Sequence, residues 1–316
     1  MRAAVTGGRG FIGARLVARL MAEGVKVRML GRRRPPELPA GVEFIMGDLA
    51  LPHSDLSRFL DGVDVVYHCA GEIRDQDRMH AVNVLGTRRL IDAARGRVGR
   101  WVQLSSVGAY GPVTEGVVTE DQPEAPVGEY ERTKTEADNL VRAAVAEGAF
   151  PAVVLRPSNV YGPTMHNRSL FQLIRAVDRG LFFHIGRRGA VANYIHVDNV
   201  VEALIRSATA PQTDGQVYIV SDHRSLEDFV GIIAENLGRA APRIRIPFWV
   251  ARGAALVGGW LPGFPLTPTR IRALTSRVVY SKQRIETELG YTPVVSMEEG
   301  LRQMVDALRA DAGHGA

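Results

Sequence analysis

The run that most constrains this chain lies within its first thirteen residues. Thr6-Gly7-Gly8-Arg9-Gly10-Phe11-Ile12-Gly13 follows a short apolar strand pattern, Ala3–Thr6, and opens an amphipathic helical pattern, Phe11–Glu23. Lacking Cβ atoms, Gly7 and Gly10 let the chain turn tightly and let a pyrophosphate touch the backbone, and Gly13 lets helix and strand approach closely. The N–H groups at the helix start, those of Phe11 and Ile12 among them, would meet the anion with the positive end of the helix dipole. Glycine turns are common, so the triplet alone is weak. A strand before it and a helix after it supply the context a dinucleotide cradle requires.

The rest of the first half repeats that alternation. Strand patterns fall at Val25–Leu30, Val42–Met46, Val63–His68, Trp101–Ser105 and Ala152–Leu155, with helical patterns at Asn83–Arg95 and Tyr130–Ala146. Apolar runs separated by helices predict a parallel sheet covered on both faces, the doubly wound Rossmann-like α/β class. After about Arg156 the regularity fades, with helices expected at Val197–Ser207, Ser225–Asn236, Thr267–Thr275 and Ser296–Leu308. Residues 1–160 are read as the nucleotide-binding domain and 161–316 as a smaller, mixed substrate lobe. Asn193–His196 and Gln216–Val220 look like strands returning to the sheet or lying beside it. Asp311–Ala316 reads as a frayed tail.

The bulk numbers exclude several classes. Hydrophobic residues make up 46% and charged residues 23%, an ordinary globular balance. The net charge of +5 could suggest nucleic acid, but the basic residues look scattered and only Arg32-Arg33-Arg34 is a tight cluster. One cysteine, Cys69, precludes an intrachain disulfide and fits a reducing cytoplasm. The first strand begins almost at Met1, leaving no room for a signal peptide. Ile246–Leu266 is the most apolar stretch; Pro247, Arg252, Pro262 and Pro265 interrupt it, so it reads as small-lobe packing rather than a membrane span, with attachment to a membrane surface the lesser alternative. The eight histidines and single cysteine show no metal-ligand spacing.

Cofactor preference is read at the end of the second strand, where NAD sites often hold a carboxylate for the ribose diol. Here Met29-Leu30-Gly31 is followed by arginines, and Arg32 and Arg33 could grip a 2′-phosphate. NADP is therefore favoured, with NAD possible; the bland alternative is a solvated basic loop. In Gly47-Asp48-Leu49, Asp48 could accept a hydrogen bond from the adenine amino group or cap the next turn, with Leu49 beside it.

Tyr130 and Lys134 stand four residues apart in a helical segment, which puts both on one face. A phenol is a poor base at neutral pH; an adjacent ammonium and a cationic nicotinamide would stabilise its phenolate and lower its pKa. Only three lysines occur, Lys26, Lys134 and Lys282, in a chain that otherwise uses arginine. Ser106, at the carboxyl end of the fifth strand, points towards the ligand crevice of a parallel sheet, where its hydroxyl can hold the oxygen that Tyr130 protonates.

Together these residues resemble the extended short-chain dehydrogenase/reductases, the NAD-dependent epimerase/dehydratase family. The similarity spans nearly the whole chain. It includes Thr6–Gly13, Gly47-Asp48-Leu49, His68-Cys69-Ala70-Gly71, Asn83-Val84-Leu85-Gly86-Thr87, Ser105-Ser106, Tyr130/Lys134, Arg156-Pro157-Ser158-Asn159-Val160-Tyr161-Gly162-Pro163 and Tyr194-Ile195-His196-Val197-Asp198. The resemblance implies Ser106, Tyr130 and Lys134 as the catalytic trio. It implies that Ala70, Ser105, Pro157 and Ser158 lie against the cofactor and that Asn159 faces the substrate. A homodimer through the helices after the fourth and fifth strands is a further implication.

Departures from the family pattern narrow the chemistry. Dehydratases of this family place Asp-Glu directly after the catalytic hydroxyl; here Val107-Gly108 follows, which argues against elimination of water. Many relatives carry Arg-Asp before the Tyr-Ile-His run, the arginine binding a substrate phosphate; here Ala192-Asn193 stands instead. Arg187, Arg188 or Arg277 could replace it, as could Arg270 or Arg272. The leading expectation is C4 epimerisation or 4-keto reduction of a nucleotide sugar. One alternative is an NADP-dependent oxidoreductase of a hydrophobic ketone or alcohol, for which the Pro247–Leu266 segment would be suited. The other is a protein that binds NADP(H) without chemistry.

Overall fold

The computed structural model describes residues 1–211, 213–258 and 266–313. Strands β1 (Arg2–Thr6), β2 (Lys26–Gly31), β3 (Glu43–Met46), β4 (Val65–His68) and β5 (Arg100–Leu104) alternate with helices α1 (Phe11–Ala22), α2 (Leu56–Leu60), α3 (Gln76–Met79) and α4 (Gly86–Ala94). Then come β6 (Glu115–Val118), α5 (Glu129–Ala146), β7 (Ala152–Pro157), β8 (Asn159–Tyr161), α6 (Ser169–Asp178), β9 (His184–Ile185) and β10 (Val191–His196). The remainder is α7 (Val197–Thr209), β11 (Gln216–Val220), β12 (Asp222–Ser225), α8 (Leu226–Leu237), β13 (Arg245–Ile246), α9 (Phe248–Gly258), α10 (Pro268–Thr275), β14 (Arg277–Tyr280), α11 (Gln283–Leu289) and α12 (Met297–Gly313).

Seven strands form one sheet in the order β11-β7-β5-β4-β1-β2-β3, and every neighbouring pair is parallel. A parallel sheet needs both faces covered, and its strands read accordingly: β7 is buried along its whole length and β1 from Ala3 to Thr6. On one face Leu16, Val17 and Leu20 of α1 pack with Val200, Val201 and Leu204 of α7. On the other, Phe59 and Leu60 of α2 pack with Leu90 and Ile91 of α4 and Val141 of α5. Crossovers run to opposite sides from β1, so the crevice for a ligand opens above the carboxyl ends of β1 and β4.

A second core joins α6, α8 and α12 through Leu170, Phe171, Ile174, Phe229, Ile233, Leu301 and Met304. Gln216–Val220 does return to the main sheet, as its edge strand β11, whereas β10 lies beside it in a three-stranded sheet with β8 and β12.

Three differences from the expected elements are informative. The helix expected from Asn83 begins at Gln76 and runs through a π-helical segment, His80–Leu85, before α4. The polar Gln76-Asp77-Arg78 turn carries no apolar period, and a π-turn shifts the register from which a period is read. Helix α6 went unread although Leu170, Phe171, Ile174 and Val177 mark its buried stripe. Strands β6 and β14 pair in parallel from distant parts of the chain, a partnership that four-residue segments cannot announce locally. Within the expected frayed tail, helix α12 continues to Gly313; residues 314–316 lie outside the described residues.

Candidate active site

The cradle begins at Gly7, whose φ of 68° is left-handed and whose Cβ, if present, would lie 2.7 Å from the Ala70 amide nitrogen. Gly10 N–H donates to the Gly7 carbonyl at 2.8 Å, closing the turn, and Gly10 is the N-cap of α1. That helix start has no side-chain cap and no acidic residue in its first turn, so its N–H groups are left to a ligand anion. A methyl group on Gly13 would fall 2.2 Å from the Gly7 carbonyl oxygen, which is the close approach the spacing predicts.

Beside the cradle opens a cleft of about 880 Å³. It gathers Gly7, Gly10, Arg32, Arg33, Asp48, Leu49 and Ala70, residues singled out from four separate stretches of sequence. Phe11, Ile12 and Gly13 stand just behind it in the first turn of α1. Arg9, Glu72, Arg78 and Val82 also line it and were not anticipated. Asp48 Oδ1 accepts the Ala50 N–H at 2.9 Å, so it does cap its turn, while Oδ2 faces Arg78 at 3.9 Å. The dimensions and chemistry fit a dinucleotide: glycine backbone for the pyrophosphate, an open helix N-terminus, and arginines at the end of β2.

A buried polar chain fixes the cleft's floor. Thr6 Oγ1 lies 2.6 Å from His68 Nδ1 and accepts the Ala70 N–H at 3.2 Å; His68 Nε2 lies 2.9 Å from Thr87 Oγ1. Thr87 donates its own proton to the Asn83 carbonyl at 2.6 Å, so the network assigns the proton to Nε2 and the Nδ1 lone pair to Thr6. Burial, with Lys134 adding to it, pushes the His68 pKa down to about 3 and keeps the ring neutral.

Asn83, inside the π-segment, clamps the loop after β4 to α5. Its Oδ1 accepts the Glu72 N–H at 2.7 Å, and its Nδ2 donates to the Glu72 carbonyl at 3.1 Å and to Thr133 Oγ1 at 3.0 Å. Thr133 sits between Tyr130 and Lys134, so the clamp holds the helix turn that carries both. π-Turns recur at functional sites, and this one turns an amide inward.

Lys134 is buried, and its Nζ donates to the Leu104 carbonyl at 2.6 Å. It lies behind Gly71 of the cleft wall, where an added Cβ would be 4.0 Å from Nζ. Burial lowers its pKa, opposed by Asp138 and Cys69. Tyr130 is half-buried, and burial, then Glu131 and Asp138, pushes its phenol up to about 12. The protein alone thus moves the phenol opposite to the expected direction: desolvation and the neighbouring carboxylates all raise it, while the Lys134 ammonium is engaged by the Leu104 carbonyl. Ser106 caps the single turn Val107–Tyr110, with Oγ accepting the Gly108 N–H at 3.1 Å. That turn rests on the first turn of α5, where a Cβ on Gly108 would meet Glu131 Cγ at 2.6 Å. Ser106 is thereby tied to the helix bearing Tyr130.

Sequence reasoning missed the support behind these residues. Ser105 donates to Asp138 Oδ2 at 2.6 Å, and Arg156 donates to the same oxygen from Nη2 at 3.0 Å and Nε at 3.2 Å. Arg156 also pairs with Glu124 and lies 5.0 Å above the Tyr110 ring. Asp138 follows Lys134 by one helical turn, and a carboxylate four residues after the lysine was the available signal. Ser105 therefore directs its hydroxyl inward rather than into the cleft. Ser158 is buried and bonded to Ser221 at 2.9 Å; Pro157 ends β7; and Asn159 is exposed, its amide donating to the Asn193 carbonyl at 3.0 Å.

A second cavity, of about 720 Å³, lies in the small lobe and includes Thr114, Ile185, Arg187, Ile246, Phe248 and Arg277. Arg187 and Arg277 are exposed there; Arg188 is exposed but only its carbonyl is engaged, by Arg277 at 2.9 Å. Ala192 is buried among α6 and α8 residues, and Asn193 spends its amide on the Val278 carbonyl at 2.8 Å.

Residues 3–221 match the model of the NAD dependent epimerase/dehydratase family. The chain is 32% identical, over all of its own length and 98% of the relative's, to a 4-hydroxy-2-methyl-3-oxo-4-farnesyl-3,4-dihydroquinoline-1-oxide ketoreductase of Stigmatella aurantiaca. It is 29% identical to the human sterol-4-alpha-carboxylate 3-dehydrogenase, decarboxylating, covering 98% of this chain and 88% of that one. Among solved structures, MoeE5 in complex with UDP-glucose and NAD superposes with a TM-score of 0.75 at 27% identity, covering 99% and 100% of the two chains.

Proposed function

Starting from the chain's membership of the NAD-dependent epimerase/dehydratase family, an oxidoreductase family of extended short-chain type, we propose that it reduces a ketone on a bulky apolar substrate, with NADPH as donor. The observation that carries the substrate class is the second cavity, one side of whose mixed wall is the apolar set Ile185, Ile246, Pro247 and Phe248, facing Thr114, Glu115, Arg187, Arg245 and Arg277. Many members of the family carry an arginine ahead of the Tyr-Ile-His run, on a substrate phosphate; Ala192 holds that place here and is buried in the core. The full-length similarity to a farnesyl-quinoline ketoreductase and to a sterol dehydrogenase points the same way.

The bound nicotinamide would supply hydride to the carbonyl carbon. Tyr130 gives its phenolic proton to the carbonyl oxygen, and a phenol raised to about 12 rests in the protonated form that this direction needs. Ser106, its Oγ already accepting from Gly108, has its own proton free for the same oxygen. Lys134 holds positive charge near the phenolate as it forms, and Asn83 and Asp138 keep helix α5 in register. Gly7, Gly10, Phe11, Ile12 and Gly13 bind the pyrophosphate, while Ala70, Pro157 and Ser158 border the nicotinamide half. Arg32 and Arg33, with Arg9 beside them, favour the 2′-phosphate of NADP over NAD. Residues from 161 onward, apart from α7 and β11 on the sheet, form the substrate lobe, and a homodimer through α4 and α5 completes the reading.

Arg187 and Arg277 on the same cavity favour a second reading, a nucleotide-sugar C4 epimerase or 4-keto reductase, in which they hold the diphosphate. A substrate panel with NADPH decides between them. Consumption of NADPH by prenylated quinolones or ketosteroids, with UDP- and dTDP-sugars inert, is the expected result. Turnover of a nucleotide sugar with every apolar ketone inert would overturn the proposal.

A further inference from the structure

The basic balance of this protein, which looks scattered along the sequence, is concentrated in one segment. Between Glu235 and Glu286 lie 50 residues with nine arginines and lysines and no acidic residue. The whole chain has 39 basic and 34 acidic residues, so the rest holds 30 against 34 and is net acidic. Helix α9 sits within this segment. Its Ala251 and Ala255 are buried against Ile185 and Ile271, and at 100° per residue the arc adjoining them carries Phe248, Arg252, Leu256 and Trp249 in turn, rising out of the core. Trp249 is 76% exposed, Leu256 69% and Phe248 47%. Ile244, also exposed, adjoins through the strand before the helix, and Arg243 and Arg252 are exposed with no ion-pair partner among the described residues.

We propose that this α9 face seats the protein on an anionic lipid surface, with Trp249 and Leu256 entering the acyl boundary and Arg243 and Arg252 meeting headgroup phosphates. A tryptophan and leucine face flanked by arginine is the composition of helices that lie in the interface plane. No helix among the described residues is long and apolar enough to cross a membrane, so the contact is peripheral. A second copy of the chain is a poor occupant, because two such faces would bring like charges together. Nucleic acid would use the arginines but leave Leu256 and Trp249 in water. Phe248 and Ile246 also wall the second cavity, so that cavity borders the proposed contact surface. The inference goes beyond the ketoreductase reading and does not depend on it.

The test is flotation of the full-length protein with vesicles of phosphatidylcholine alone or mixed with phosphatidylglycerol, which involves no substrate. Flotation with the anionic vesicles only, reversed by salt, is expected. Trp249→Ser should weaken partitioning about tenfold and Arg252→Gln about fivefold, both with unchanged thermal unfolding, since both side chains are exposed. Absence of flotation, or flotation indifferent to Trp249→Ser, overturns the proposal. So does a dimer in sedimentation that Trp249→Ser dissolves, or tighter retention on duplex DNA than on the vesicles.

Discussion

Gly13→Ala adds one methyl group to the first turn of α1. That carbon would fall 2.2 Å from the Gly7 carbonyl oxygen, 2.8 Å from the Gly7 carbonyl carbon and 3.0 Å from Gly8 Cα. All three are backbone atoms, so no rotamer can yield. Ordinary contact at about 3.5 Å returns only if helix and loop part by about 1 Å. Overpacking of this kind costs about 1–3 kcal/mol, and alanine recovers about 1 kcal/mol over glycine in a helix. Global stability should therefore fall by about 0–2 kcal/mol. Dinucleotide affinity should suffer more. Two loop N–H groups drawn about 1 Å from a phosphate, each bond worth about 1.5–3 kcal/mol, imply a Kd raised about 100- to 10,000-fold. NADPH fluorescence titration beside thermal unfolding reads both quantities. Gly231→Ala is the control: it lies inside α8 with nothing within 4 Å of its added carbon. It should gain about 0.5–1 kcal/mol of stability and leave affinity alone. A Gly13→Ala protein that binds NADPH like the parent would refute the cradle.

Tyr130→Phe should lower kcat about 100- to 10,000-fold while NADPH affinity holds; a drop below about fivefold in stopped-flow reduction would remove the phenol from the chemistry. Replacing Arg33 with serine should weaken NADPH binding about tenfold and NADH binding hardly at all, and equal losses for both would point to a general electrostatic effect. His68 has a folded pKa near 3 against the ordinary 6.5, so the stability it contributes is complete above 6.5 and is lost as pH falls towards 3. Urea unfolding at stepped pH should show that slope flattened in His68→Gln. Tyr130 runs the other way: its pKa of about 12 against 10.0 makes stability complete below pH 10 and lost as pH rises through 12, a slope that Tyr130→Phe should abolish.

The sheet was legible because each parallel strand is a local apolar run, and because helices such as Phe11–Ala22 and Glu129–Ala146 keep a one-sided apolar period over several turns. The cradle was legible because a glycine is demanded wherever backbone meets backbone or phosphate, and Gly7-x-x-Gly10-x-x-Gly13 states that demand within seven residues. Local pattern also placed Tyr130 and Lys134 on one helical face.

Other features came only from tertiary structure, since they depend on which distant segments share a dielectric. The direction of the Tyr130 shift is one, because desolvation is set by everything packed around the ring. The pairing of β6 with β14 and the inward turn of Ser105 onto Asp138 and Arg156 are others. So is the outward face of α9: its composition reads as small-lobe packing, whereas in the fold Ala251 and Ala255 take the buried side and leave Trp249 to the solvent. Periodicity encodes what a residue needs from its neighbours, whereas packing decides which neighbours it has.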